Sequence, residues 1–125
     1  MEGTMKKFWT VTASILFSAS VSWAGPDAIK IGVIDDMNGP YAAVQGPGDF
    51  LAAQMAAEDF GGKVLGKPIQ VLSGDHQNKA DVGALIARRW YDTEGVDAIF
   101  GMGHSAVALA TQQIARDKNK INIVT

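Results

Sequence analysis

The chain has 125 residues, 11 Lys and Arg against 13 Asp and Glu, and no cysteine. That length suffices for one small domain, and a weakly acidic chain without a basic stripe has no electrostatic footprint for nucleic acid. Without cysteine there is no disulfide, no thiol chemistry and no lipid anchor on a thiol.

The first 24 residues read as a secretory signal peptide. Lys6 and Lys7 precede a mostly apolar run from Phe8 to Val21, and Ser22-Trp23-Ala24 ends on a small residue, placing the cut between Ala24 and Gly25. Met1 to Thr4 precede the basic pair, so Met5 is a second candidate start. A membrane span fits less well, because the run falls short of roughly 20 apolar residues and is broken by Thr and Ser. Export takes the chain away from pools of ATP and nicotinamide cofactors, and absent cysteines do not argue against it. Residues 25–125 keep 9 basic and 12 acidic side chains, a net charge of −3.

Ile29–Ile34 (IKIGVI) is short, β-branched and apolar, as a buried parallel strand should be. Pro47 and Asp49 open a helix that runs to about Phe60, with Leu51, Ala52, Met55, Ala56 and Phe60 as its buried stripe. Gly61-Gly62 ends it. Ile69–Ser73 is the second strand, launched by the turn Gly66-Lys67-Pro68. Asn78 is the expected N-cap of the next helix, with Asp81 completing a capping box. Val82, Leu85, Ile86 and Trp90 fall at helical spacing, and Gly95 closes the helix. A third strand over Val96–Phe100, a third helix over Ser105–Lys118 and a fourth strand over Ile121–Thr125 complete the order. Val107, Thr111, Ile114 and Ala115 are the inward face of that helix. The pattern β-α-β-α-β-α-β predicts an α/β fold, a parallel doubly wound sheet with right-handed crossovers and helices on both faces. The last strand has no covering helix after it, so an exposed apolar face and a domain cut short are expected.

Ligands of open α/β sheets sit beyond the carboxyl ends of the strands. Three loops belong there: residues 35–46, 74–78 and 101–105. Asp35-Asp36 suggests a Mg²⁺-dependent phosphoacceptor domain, but Gly101 stands where its acceptor aspartate is needed. Gly101-Met102-Gly103-His104-Ser105-Ala106 fits a dinucleotide fingerprint, but after the wrong strand and without the acidic residue that should follow. No nucleophile–His–acid set has a recognisable spacing, and His76 and His104 lack metal-ligand spacing. An exported hydrolase would have to use Ser105. The remaining chemistry is a small polar solute held at the N-terminus of the third helix, where free backbone N–H groups and the Ser105 hydroxyl suit a carboxylate. His104 would add a donor of switchable charge. Ser105 could equally cap its own helix. Asp49 would repel an anion, and Asp35 and Asp36 are expected to accept backbone N–H groups at the strand end.

Ile29 to Thr125 resembles the periplasmic solute-binding proteins of branched-chain amino acid type ABC transporters. Three stretches carry the likeness: Met37-Asn38-Gly39-Pro40-Tyr41, Glu58-Asp59-Phe60-Gly61-Gly62 with Leu65-Gly66-Lys67-Pro68-Ile69, and Val96-Asp97-Ala98-Ile99-Phe100-Gly101. The resemblance implies a two-lobed Venus-flytrap fold, with residues 25–125 as the first part of lobe I, and a periplasmic location. It implies no cofactor, no metal and no catalysis. The partners would be a small-molecule ligand, an amino acid or aromatic carboxylate, and a membrane permease. Tyr41 would be an aromatic contact at the mouth, and Gly103, His104 and Ser105 would meet the ligand carboxylate. The stretches Asp75–Asp92 and Ser105–Ala110 together look most similar to the branch that takes aromatic carboxylates. The same fold also serves as the sensing domain of receptors and regulators.

Overall fold

The structure, a computed structural model, describes residues 27–125. The expected signal peptide and its cleavage site lie outside them. Strands β1 (Ile29–Asp35), β2 (Lys63–Val64), β3 (Lys67–Asp75), β4 (Ala98–Gly101) and β5 (Ile121–Val124) form one sheet in the order β2-β3-β1-β4-β5. All neighbours are parallel except β2 and β3. The antiparallel β2 is absent from the sequence reading. Leu65 and Gly66, both at positive φ, make a two-residue hairpin that folds Lys63-Val64 back onto Lys67-Pro68.

Helix α1 (Pro47–Asp59) packs on one face of the sheet, and α2 (Ala80–Arg89) and α3 (Ser105–Asp117) pack on the other. The strand period of two explains the division. Ile31 and Val33 of β1 point towards α1, while Gly32 and Ile34 point towards the α2–α3 layer. The core lies on this second side, around Ile34, Ile86, Trp90, Ile99, Val107 and Ile114. Trp90 is its largest member, 2 % exposed, and its ring lies directly over Gly32 with Gly74 of β3 alongside. A side chain at Gly32 would overlap that ring. Trp90 opens a single π-helical turn, Trp90–Glu94, that extends α2 and ends on left-handed Gly95.

Several local expectations change. The α1 stripe is not buried: Leu51, Met55 and Phe60 are all more than half exposed, and no residue of α1 is fully covered. Leu85 is likewise exposed, although Ile86 and Trp90 are core. Asn78 does not cap α2. It sits at φ 56°, Lys79 is the N-cap, and no side chain closes a capping box. The third strand begins at Ala98: just before it, the Asp97 side chain and not a backbone carbonyl accepts the Lys30 N–H, at 2.9 Å. The expected inward face of α3 is buried in full: Val107, Thr111, Ile114 and Ala115.

On the α1 side the sheet is open. An apolar groove of about 550 Å³ runs between Ala52 and Ala56 of α1, with Phe60 just past its end, and Ile31, Val33 and Phe100 of the sheet. Ile121 and Ile123 of β5 are also exposed there, as expected for the last strand.

Candidate functional site

β1 lies between β3 and β4, and the chain leaves it first to one side and then to the other. The switch point of the topology is therefore at the carboxyl end of β1. Asp35 pairs in register with Asp75, and Ile34 with Gly101, so the three expected loops emerge side by side on one edge.

Asp36 organises the first loop. Its Oδ1 accepts the Gly39 N–H at 2.9 Å and its Oδ2 accepts the Tyr41 N–H at 3.0 Å. Asp75 ties this loop to the second: its oxygens accept the Met37 and Gln77 N–H groups at 3.2 and 2.8 Å and the Asn38 amide at 3.1 Å. Burial pushes its pKa up, but these bonds to Gln77, Asn38 and Met37 outweigh burial and hold it below the ordinary carboxylate value. Asp35 ties the first loop to the third. It is fully enclosed, and its Oδ1 accepts the Met102 and Gly103 N–H groups at 2.9 and 3.2 Å. Burial raises its pKa to about 6, against the Gly103 bond and with Asp49 adding to the rise. Gly101, at φ 93°, lies so close to Asp35 Oδ2 that a Cβ there would collide with it. Met102 continues the left-handed path at φ 68°, a conformation that the two Asp35 bonds help to stabilise. The structural role expected of Asp35 and Asp36 is what these bonds show.

Gly103, His104 and Ser105 follow directly. Gly103 is exposed and lies under the Gln45 side chain, whose Oε1 is buried without a donor among the described residues. His104, and not Ser105, is the N-cap of α3: its Nδ1 accepts the Val107 N–H at a long 3.4 Å. The capping reading of Ser105 therefore gives way. Ser105 is the first helical residue and is exposed, and neither its N–H nor that of Ala106 has a partner among the described residues. His104→Ala should cost about 0.5–1 kcal/mol in chemical denaturation, near the low end for a cap because the bond is long.

His76 is fully buried, and its ring centre is 6.1 Å from that of His104. The Asn78 N–H donates to its Nδ1 at 2.9 Å, which leaves the proton on Nε2. Nε2 has no partner among the described residues. Burial lowers the His76 pKa, more than Asp36 raises it, so the ring is neutral at pH 7. Tyr41, 46 % exposed, stands on the first loop four residues before Gln45, and its phenol has no hydrogen-bond partner among the described residues.

The structure thus brings Gly103, His104 and Ser105 together with two residues that the sequence reading did not select, Gln45 and His76. The signals for Gln45 were its place just before Gly46, which N-caps α1 at φ 82°, and the absence of a side chain at Gly103.

A profile of the periplasmic binding protein family matches residues 28–125. The chain belongs to that family. A periplasmic binding protein from Burkholderia mallei is 51 % identical, with a TM-score of 0.77, over 78 % of this chain and 26 % of that one. A branched-chain amino acid ABC transporter periplasmic ligand-binding protein from Burkholderia xenovorans is 45 % identical, with a TM-score of 0.75, over 77 % and 26 %. A solute-binding protein of an ABC transporter from Rhodopseudomonas palustris, in complex with 3,4-dihydroxybenzoic acid, is 27 % identical, with a TM-score of 0.69, over 78 % and 26 %. The chain therefore spans about a quarter of the length of these structures. No curated protein matches. The mostly parallel α/β sheet agrees with the fold of this family, as the sequence resemblance implied.

Proposed function

We propose that this chain contributes the first part of lobe I to the substrate-binding component of an ABC transporter. That component captures a small carboxylate-bearing solute in the periplasm and presents it to a membrane permease. Residues 1–24 are the cleaved export signal and residues 25–125 the lobe segment. The component binds without catalysis, and its ligand is an amino acid or an aromatic acid.

The observation that carries this reading is the start of α3. The N–H groups of Ser105 and Ala106 have no partner among the described residues, and they stand with the Ser105 hydroxyl and the His104 ring at the start of α3, beside Gly103 and Gln45. Such an arrangement offers several donors and the positive end of a 13-residue helix to one anion. Tyr41 supplies an aromatic surface at the mouth. The related protein that holds 3,4-dihydroxybenzoic acid makes an aromatic carboxylate the first probe, and isoleucine represents the amino acids.

Calorimetry on the full-length protein tests this. One of the two probes should bind and be recovered unchanged. Ser105→Ala should weaken it about fivefold to twentyfold, the worth of a hydrogen bond to a charged group. An unaltered Kd in that variant would remove Ser105 from the site, and turnover of the probe would overturn the binding role.

A further inference from the structure

Asp35 and Asp36 are both fully enclosed, but they use their oxygens differently. Both oxygens of Asp36 accept N–H groups of its own turn. Asp35 bonds only through Oδ1, and its buried Oδ2 has no donor among the described residues. An ionised carboxylate with one oxygen buried and unbonded is unfavourable. A carboxylic acid with its hydroxyl at Oδ2 needs only an acceptor.

Asp49, in the first turn of α1, provides one. It lines the same groove as Gly101, the residue against which Asp35 Oδ2 lies, and its negative charge acts on Asp35. Two carboxylates so placed ionise together only at a high cost, so the pair favours holding one proton.

The other charged groups around Asp35 are engaged elsewhere. Asp75, its register partner on β3, accepts from Met37, Asn38 and Gln77. His76 reaches it only through its backbone N–H, which donates to the Asp35 carbonyl at 3.0 Å. On the third loop the first titratable group is His104, whose Nδ1 is turned to the Val107 N–H.

We propose that Asp35 and Asp49 share a single proton beneath the Gly101–Ser105 loop, which makes Asp35 the positioning residue of that loop and the point where pH acts on it. The proton comes from solvent to Asp35 Oδ2 and is donated to Asp49. No other bond forms or breaks. Oδ1 keeps the Met102 and Gly103 N–H groups in both states, so the left-handed path of the loop is preserved. The charge of the pair changes from −2 to −1 just below the N-terminus of α3. A carboxylate arriving there binds more tightly once the pair is protonated, and by linkage the bound carboxylate strengthens the hold on the proton. This last step rests on the carboxylate-binding reading above. The sharing itself does not.

The test is an NMR titration of the full-length protein without ligand, following the Met102 and Gly103 amides in wild type, Asp35→Asn and Asp49→Asn. In wild type both amides should move together with a midpoint near the value of about 6 that burial gives Asp35. Asp35→Asn should remove the step that the two amides share, and Asp49→Asn should lower its midpoint by about one unit. A purely structural Asp35 predicts that Asp35→Asn removes no step. Flat wild-type amides, or a midpoint indifferent to Asp49→Asn, would overturn the proposal, and the wild-type titration decides even if a variant fails to fold. Benzoate affinity is then measured at about pH 5.5 and 7.5. It should tighten about threefold to tenfold more at the lower pH in wild type than in Asp35→Asn, as expected for loss of one nearby charge. Equal pH dependence in the two proteins would overturn the coupling. No benzoate binding at either pH, with the amide titration intact, would sink the carboxylate reading and leave the shared proton standing.

Discussion

Trp90→Ala should cost the fold about 3–5 kcal/mol, the range for removing a large aromatic from a packed core. The size of the effect follows from the seat of the ring. Trp90 is 2 % exposed and spans Gly32 of β1 and Gly74 of β3, two positions without side chains that could collapse into the space left behind. Neighbouring Tyr91, also buried, donates from its hydroxyl to the Ile121 carbonyl at 2.7 Å, so loosening this turn also loosens the last strand. Far-UV circular dichroism during urea unfolding is the suitable readout, because the mutation removes the one tryptophan of residues 25–125. The complementary change, Gly32→Ala, drives a methyl into the ring and should cost about 1–3 kcal/mol through overpacking. If both variants unfold like wild type, Trp90 is not the centre of the core.

Asp35→Asn should stabilise the fold above about pH 6, relative to wild type. The sign follows from the direction of the shift. Burial raises the folded-state pKa of Asp35 to about 6, above its ordinary value of 3.8, so the folded protein holds this proton more tightly than the unfolded chain. Its contribution is therefore most favourable below about pH 4, is lost as pH rises to 6, and is fully lost beyond that. The shift corresponds to about 3 kcal/mol. Asp75 and His76 act in the opposite sense. Both have lowered folded-state pKa values, so each destabilises the fold as pH falls. The raw wild-type curve mixes all three. The difference between wild type and Asp35→Asn, from urea midpoints at a series of pH values, isolates the Asp35 contribution. A constant difference across this range would mean that Asp35 is ionised throughout, with a partner for Oδ2 that the fold does not show.

Which features could be read from the sequence depended on how local their causes are. The strands Ile29–Ile34 and Ile121–Thr125, the Pro47 start of α1, the Gly95 stop and the inward face of α3 were legible. Each is set by the conformational limits of Gly and Pro or by a short apolar period. The family likeness was legible too, because it rests on contiguous motifs such as Met37–Tyr41 and Val96–Gly101. Local pattern misled where a helix face needs something to pack against. The apolar residues of α1 have the right spacing, but the helix turns alanines such as Ala53 and Ala56 to the groove against the sheet and leaves Leu51, Met55 and, past its end, Phe60 largely in solvent. Asn78 has the right chemistry for a cap, but the link between β3 and α2 turns it to positive φ, with its N–H bonded to His76.

The site divides in the same way. Residue order alone puts a helix start near Ser105 at the end of a strand, with Gly103, His104 and Ser105 together there. Folding in three dimensions makes His104 and not Ser105 the cap, lays Gln45 over Gly103, and lets Asp35 hold Met102 and Gly103 from 67 and 68 residues away. Those contacts join segments that meet only when β4 pairs with β1. A carboxylate at a strand end is visible in the sequence. Which N–H groups reach it, and which of its oxygens is left without one, depends on the register of strands far apart in the chain.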